Sequence, residues 1–170
     1  MERYRNMLFS KKIINDIDGF TGKYKILSND SNHEKISLIL PYGEPNGKKY
    51  YANNIDTLFQ AAKISIDEET QREDIIKSND SKVARYLGNR YVMRKDWEDI
   101  RENVMKELLI QKFKVSNEFR NILLNIEKGK ILVNFNDEND TYWGVSKNTL
   151  TGKNRLGILL MELKETKTKK

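Results

Sequence analysis

The 170-residue sequence has no cysteine and a single histidine, His33. Their scarcity excludes disulfides, thiolate nucleophiles, Cys-based zinc sites and every mechanism that needs two imidazoles. Any catalysis therefore rests on carboxylates, Lys/Arg and aromatics. Proline occupies only 2 positions, and the sequence shows no Pro/Ser/Gly-rich linker, internal repeat or low-complexity block. No apolar run approaches the ~18 residues of a membrane span, and the opening MERYRNMLFSKK lacks the apolar core of a signal peptide. The sequence thus reads as a soluble, cytoplasmic protein without membrane association. Phosphate loops are missing too: GEPNGKK at 43–49 has the wrong spacing for a P-loop and no Ser/Thr, and there is no GxGxxG. ATPase and dinucleotide-fold readings fall with them.

What is present argues for one globular unit, 1–170, large enough to bury a core. The net charge of +6 resides wholly in two short tails. Residues 1–12 hold Arg3, Arg5, Lys11 and Lys12 against Glu2, and residues 164–170 hold four lysines against Glu165. Because the body between them is neutral, the basicity does not mark a nucleic-acid face by itself. The C-terminal KETKTKK reads as a frayed, solvated tail.

Hydrophobic spacing divides the chain into elements. ISLIL at 36–40 and KKYYA at 48–52 flank an Asn-Gly turn and predict a hairpin. Asn54 caps a predicted helix in which Ile55, Leu58, Phe59, Ala62 and Ile66 recur at helical spacing. Asp67, Glu68 and Glu69 suit the start of a short helix, and Asp80 caps another that Gly88 closes. Asp96 caps a long helix with Trp97, Ile100, Val104 and Leu108 inward. Ser116 caps a further one, KILVNF at 130–135 predicts a strand, and a last helix spans about 154–163. The sum is a helix-rich α+β domain with a small sheet or hairpin.

Three polar clusters sit at element boundaries, where side chains converge on pockets. Asp56, Gln60 and Lys63 share one helical face, which reads either as the wall of a site or as an ordinary exposed polar stripe. Arg94, Asp96 and Trp97 open the long helix, with Asp96 as cap and Trp97 as core aromatic. Asp140, Trp143, Gly144, Gly152, Asn154 and Gly157 lie in a loop feeding the last helix. There a Trp can stack on a base and glycines can let backbone approach a ligand, or the Trp can simply anchor the loop. His33, in the polar SNDSNHEK, reads as solvated.

Taken in order, LSN at 27–29, IDTLFQAAK at 55–63, RKDWEDIRENVM at 94–105, KF at 112–113, DTYWG at 140–144 and GKNRLGILLM at 152–161 resemble the NADAR family of YbiA-like N-glycosidases. The resemblance runs from Leu27 to about Leu163. It implies hydrolysis of a ribose N-glycosidic bond, without metal or cofactor. Two substrate types are implied: ribosylamino-pyrimidine phosphates, and ADP-ribose attached to guanine in DNA. Asp56 and Asp140 are the catalytic candidates. Lys63, Arg94, Trp97, Trp143, Gly144 and Asn154 are the candidates for substrate binding. Three positions depart from the family pattern: Asp56 stands where Glu is usual, Asn134 replaces an acidic residue, and Asn89 replaces an Arg, with Arg90 one position later. The first two, Asp56 and Asn134, motivate an alternative, a protein that binds ADP-ribose-type nucleotides without turning them over. The sequence does not fix the oligomeric state.

Overall fold

The computed structural model describes residues 20–168. The helix-rich α+β class expected from the sequence is what the chain adopts. It divides into two compact units, one of residues 29–119 and the other of the described residues 20–28 and 120–168.

In the 29–119 unit, β1 (Ile36–Leu40) and β2 (Lys48–Ala52) form the expected antiparallel hairpin, with Leu38 opposite Tyr50. Alternation puts Ile36, Leu38 and Leu40 in the core and Ile39 in solvent. Helix α1 (Ile55–Lys63) follows, and seven of its nine residues are buried, including the polar Asp56 and Thr57. It packs against both strands and against α2 (Glu69–Ser78), α3 (Ser81–Gly88) and α4 (Trp97–Val115). The start of α1 is closely tied down. Asn54 Oδ1 accepts from the Thr57 N–H and hydroxyl, both at 2.9 Å, as its capping role predicts. The Asn29 carbonyl accepts from the N–H groups of Ile55 and Asp56 at 3.1 and 3.2 Å, which satisfies the donors a helix start leaves open.

The helix ends earlier than its periodicity suggests, because Ile64 leaves it and forms an antiparallel bridge with Met93. Ser65 N–H donates to the Val92 carbonyl, and Arg94 N–H to that of Lys63. Ile66, predicted to be inward, is 40% exposed. Asp80 caps α3 as expected, accepting from the N–H groups of Lys82 and Val83 at 2.9 Å. Asp96 stands at the N-cap position of α4 but makes no capping bond. Its carboxylate is taken by Arg94, whose Nε and Nη2 donate to the two oxygens at 2.6 and 2.9 Å. A bidentate charge-assisted pair outcompetes a single cap bond.

His33 is not solvated as its polar neighbourhood suggests. Its Nε2 is buried without a hydrogen-bond partner among the described residues. Burial first, then the charge of Lys112, pushes its pKa from 6.5 to about 4. Lys112 is itself fully buried, donates to Ser31 Oγ at 2.8 Å and lies over the Phe119 ring. The unfolded chain protonates His33 below pH 6.5 and the folded chain only near 4, so this residue removes stability as pH falls between those values. In His33→Gln the melting temperature should fall less over that interval than in the parent. Parallel pH–melting curves for the two proteins would contradict this.

Helix α5 (Asn117–Leu124) begins after Ser116, whose Oγ accepts from the Phe119 N–H at 3.4 Å. In the other unit, the predicted strand at 130–135 shrinks to β3 (Phe135–Asn136), paired in parallel with β4 (Val145–Ser146). The stretch before it finds its partner in a side chain, Asn154. Helix α6 (Arg155–Thr168) has six consecutive buried residues, Leu156–Met161, as a helix covered on all sides requires. It runs beyond the expected end near Leu163. Residues 164–168, expected to fray, belong to it, and Lys164 Nζ donates to the Ile126 carbonyl. The N-terminal basic tail, 1–12, lies outside the described residues. No described helix is long and apolar enough to cross a membrane.

Candidate active site

In the 29–119 unit Asp56, Gln60 and Lys63 of α1 do not form an exposed stripe. They face α3 in three rungs. At the first, Asp56 is only 7% exposed and its Oδ2 lies 3.8 Å from Arg85 Nε. At the second, the Gln60 amide lies against Gly88, where a Cβ would stand 2.2 Å from Gln60 Oε1. Only glycine leaves room for that amide, and Oε1 is buried with no hydrogen-bond partner among the described residues. At the third, Lys63 Nζ donates to Asn89 Oδ1 at 3.1 Å, and burial lowers the Lys63 pKa. Asn89, not Arg90, meets Lys63. Arg90 instead lies over the Tyr86 ring at 5.1 Å.

Arg94 and Trp97 support this ladder. Arg94 is 4% exposed, holds Asp96 bidentately and donates from Nη1 to the Tyr42 carbonyl at 2.9 Å. With its N–H on the Lys63 carbonyl, it links the hairpin turn to the end of α1. Trp97 is buried edge-on to Phe59, with ring centroids 4.9 Å apart, and so backs α1 from the core.

The remaining candidates, Asp140, Trp143, Gly144 and Asn154, belong to the other unit. Asp140 Oδ1 accepts from the N–H groups of Tyr142 and Trp143 at 3.0 and 2.9 Å. Asn136 grips Asp140 in turn, Oδ1 accepting its N–H and Nδ2 donating to its carbonyl. Trp143 is half-buried, edge-on to Tyr142 at 5.0 Å. Asn154 is 2% exposed, with both ends of its amide engaged: Oδ1 accepts from the Asn134 N–H at 3.0 Å and Nδ2 donates to the Leu132 carbonyl at 2.7 Å. It thereby supplies the bonds a neighbouring strand would give to the 132–134 stretch.

The glycines of this loop allow close approach, but to the chain itself. A Cβ on Gly144 would stand 2.3 Å from the Asn134 carbonyl oxygen, and one on Gly157 would stand 2.2 Å from that of Leu132. A Cβ on Gly152 would meet the Gly144 carbonyl oxygen at 2.1 Å.

Chemically, the α1–α3 ladder offers a buried carboxylate beside a guanidinium, an amide and a desolvated ammonium. That set suits an electron-poor carbon and an anionic group more than a metal, and no three His, Asp or Glu side chains converge among the described residues. Sequence reasoning missed Arg85 and Asn136. Nothing local marks either, since each gains its role from a partner that only the fold brings close.

Comparison with known proteins agrees with the architecture. The NADAR domain model matches residues 19–166. The N-glycosidase YbiA of Shigella boydii serotype 4 (strain Sb227) is 43% identical over 109 residues, which are 63% of this chain and 65% of that protein. The N-glycosidase YbiA of Escherichia coli (strain K12) is 40% identical over a stretch of the same coverage. The matched stretch is thus less than two thirds of these relatives' length. The NMR structure of the E. coli protein YbiA superposes with a TM-score of 0.67 at 30% identity, covering 98% of this chain and 92% of that one. A motif order from Leu27 to Leu163, a family match over 19–166 and a shared fold lead to one conclusion: this chain belongs to the NADAR domain family.

Proposed function

We propose that this protein is an N-glycosidase that hydrolyses the bond between ribose C1 and a base nitrogen in a nucleotide. The observation that carries the reading is the buried Asp56 carboxylate at the head of α1, opposed by Arg85. Breaking the C1–N bond leaves an oxocarbenium-like ribose. A water oxygen then bonds to C1, and a proton ends on the departing nitrogen. Asp56 stabilises the positive ribose and takes the water proton. Lys63 holds phosphate as an ammonium. Arg94 spends three of its five side-chain N–H donors on Asp96 and the Tyr42 carbonyl, which fixes the end of α1, and offers the other two to phosphate. In the other unit, Asp140 and Asn154 shape the loop that carries Trp143, whose ring suits stacking on a base.

The substrates are ADP-ribose-type or ribosylamino-pyrimidine nucleotides, including ADP-ribose on guanine in DNA, and the reaction runs in the cytoplasm. Relatives named N-glycosidase support this reading. To test it, a ribosylamino-pyrimidine phosphate and an oligonucleotide carrying guanine-linked ADP-ribose are incubated with the protein. Base or ADP-ribose release from either is expected. Binding of ADP-ribose with no release from either would favour the second reading, a non-catalytic nucleotide-binding protein, which the short Asp56 carboxylate and its ion pair with Arg85 motivate.

The Lys63 assignment has a pH signature. Burial lowers its pKa, so the ammonium is lost at a lower pH than the usual 10.5. ADP-ribose affinity should weaken as pH rises through that lowered value. It should stay flat over the same range in Lys63→Arg, whose charge persists. Identical pH profiles for the two proteins would remove Lys63 from phosphate binding.

A further inference from the structure

Helix α3 has a second face. Arg85, Gly88 and Asn89 meet α1, yet their chain neighbours Tyr86 and Arg90 stand in solvent. Tyr86 is 60% exposed, the highest value among the described exposed large hydrophobic residues, and Arg90 lies over its ring at 5.1 Å. Val83, Val92 and Met93 are exposed large hydrophobics of the same short stretch. Between Asp80, which is occupied as the α3 cap, and Arg90 every charged residue is basic: Lys82, Arg85 and Arg90. An exposed aromatic steadied by a guanidinium, in a segment whose exposed charges are Lys82 and Arg90, matches the chemistry of a strand that alternates flat bases with phosphates. Arg85 is already paired with Asp56, so the exposed cations of this face are Lys82 and Arg90, and a phosphate backbone supplies the negative charge that answers them. Asn89 joins the two faces, for it receives Lys63 on one side and is followed by Arg90 on the other.

We propose that Tyr86 and Arg90 form a stacking platform for an unpaired base of a nucleic-acid strand. Tyr86 takes the base, Arg90 takes the adjoining phosphate, and the strand is held next to the Lys63–Asn89 rung. The platform rests on the N-glycosidase reading only in its purpose, which is to bring polynucleotide-borne linkages to the ladder. Its existence is tested without turnover.

Fluorescence anisotropy with an end-labelled single-stranded DNA of mixed sequence, in low salt, reads it directly. The parent protein should bind. Tyr86→Ala should weaken binding about 5- to 150-fold, the worth of one base stack, and Tyr86→Phe should restore it. Arg90→Gln should reduce the slope of log affinity against log salt by about 0.7, one phosphate's share. Hydrolysis of a free ribosylamino-pyrimidine phosphate should be unchanged in Tyr86→Ala, which also shows that this variant is folded. No binding by the parent, or equal binding by the parent and Tyr86→Ala, overturns the platform. Loss of free-nucleotide turnover in Tyr86→Ala with DNA binding intact does so too. Absence of turnover in the parent, with the platform's binding pattern intact, would instead count against the N-glycosidase reading alone.

Discussion

Asp56→Asn is expected to slow base release by about 10²- to 10⁴-fold, the usual worth of a positioned general acid or base. The substitution keeps size and shape, and the Asn54 cap and the Asn29 carbonyl that fix the head of α1 do not involve the Asp56 side chain. ADP-ribose affinity should therefore change far less than turnover. This kcat-weighted loss separates a group that acts in the transition state from one that merely binds. Asp56→Glu adds the methylene usual at this position in the family and should retain activity, because the carboxylate still faces Arg85. Single-turnover base release with saturating protein measures both variants without ambiguity from product release. Turnover in Asp56→Asn equal to the parent's would remove the carboxylate from the chemistry.

Asn154 carries the largest expected effect on stability. Asn154→Ala leaves the Asn134 N–H and the Leu132 carbonyl without their side-chain partner. An unsatisfied buried group costs about 1–3 kcal/mol, so the pair amounts to about 2–6 kcal/mol. Asn154 also has a left-handed backbone, with φ 48°, which Asn tolerates and Ala does not. Asn154→Gly relieves that strain but still lacks the amide, so it should recover only a small part of the loss. Gly157→Ala acts on the same contact, since its Cβ would stand 2.6 Å from both amide atoms of Asn154. The two substitutions should be clearly less than additive. Urea unfolding of the single and double variants measures all three quantities. A loss below about 0.5 kcal/mol in Asn154→Ala, the range of ordinary surface changes, would mean the amide does not hold the 132–134 stretch.

The same particulars show what a one-dimensional reading can reach. The hairpin, the Asn54, Asp80 and Ser116 caps and the inward face of α4 rest on interactions within a few residues, and short-range rules find them. Asp96 shows the limit: it occupies a cap position, but Arg94 two residues away competes for the carboxylate with a stronger bidentate bond. Ile64 leaves its helix for a strand partner nearly thirty residues later, and the 132–134 stretch uses a side-chain amide in place of a neighbouring strand. Neither partner has a local signature.

For the site, spacing placed Asp56, Gln60 and Lys63 on one face but could not distinguish solvent from α3. Burial of that face depends on Gly88, whose lack of a side chain admits the Gln60 amide. His33 inverts the usual expectation for the same reason, because its polar neighbours in sequence are not what surrounds its Nε2 in space.

The central claim, that water displaces a base from ribose C1, is tested most directly by reaction in water enriched in oxygen-18. The ribosylamino-pyrimidine phosphate is the substrate, product is sampled at early times, and the values are extrapolated to zero to remove slow exchange at the anomeric carbon. The account predicts heavy oxygen on the ribose phosphate product, at C1, and a released pyrimidine that carries none. Heavy oxygen on the phosphate or on the pyrimidine ring, with C1 unlabelled, would contradict it.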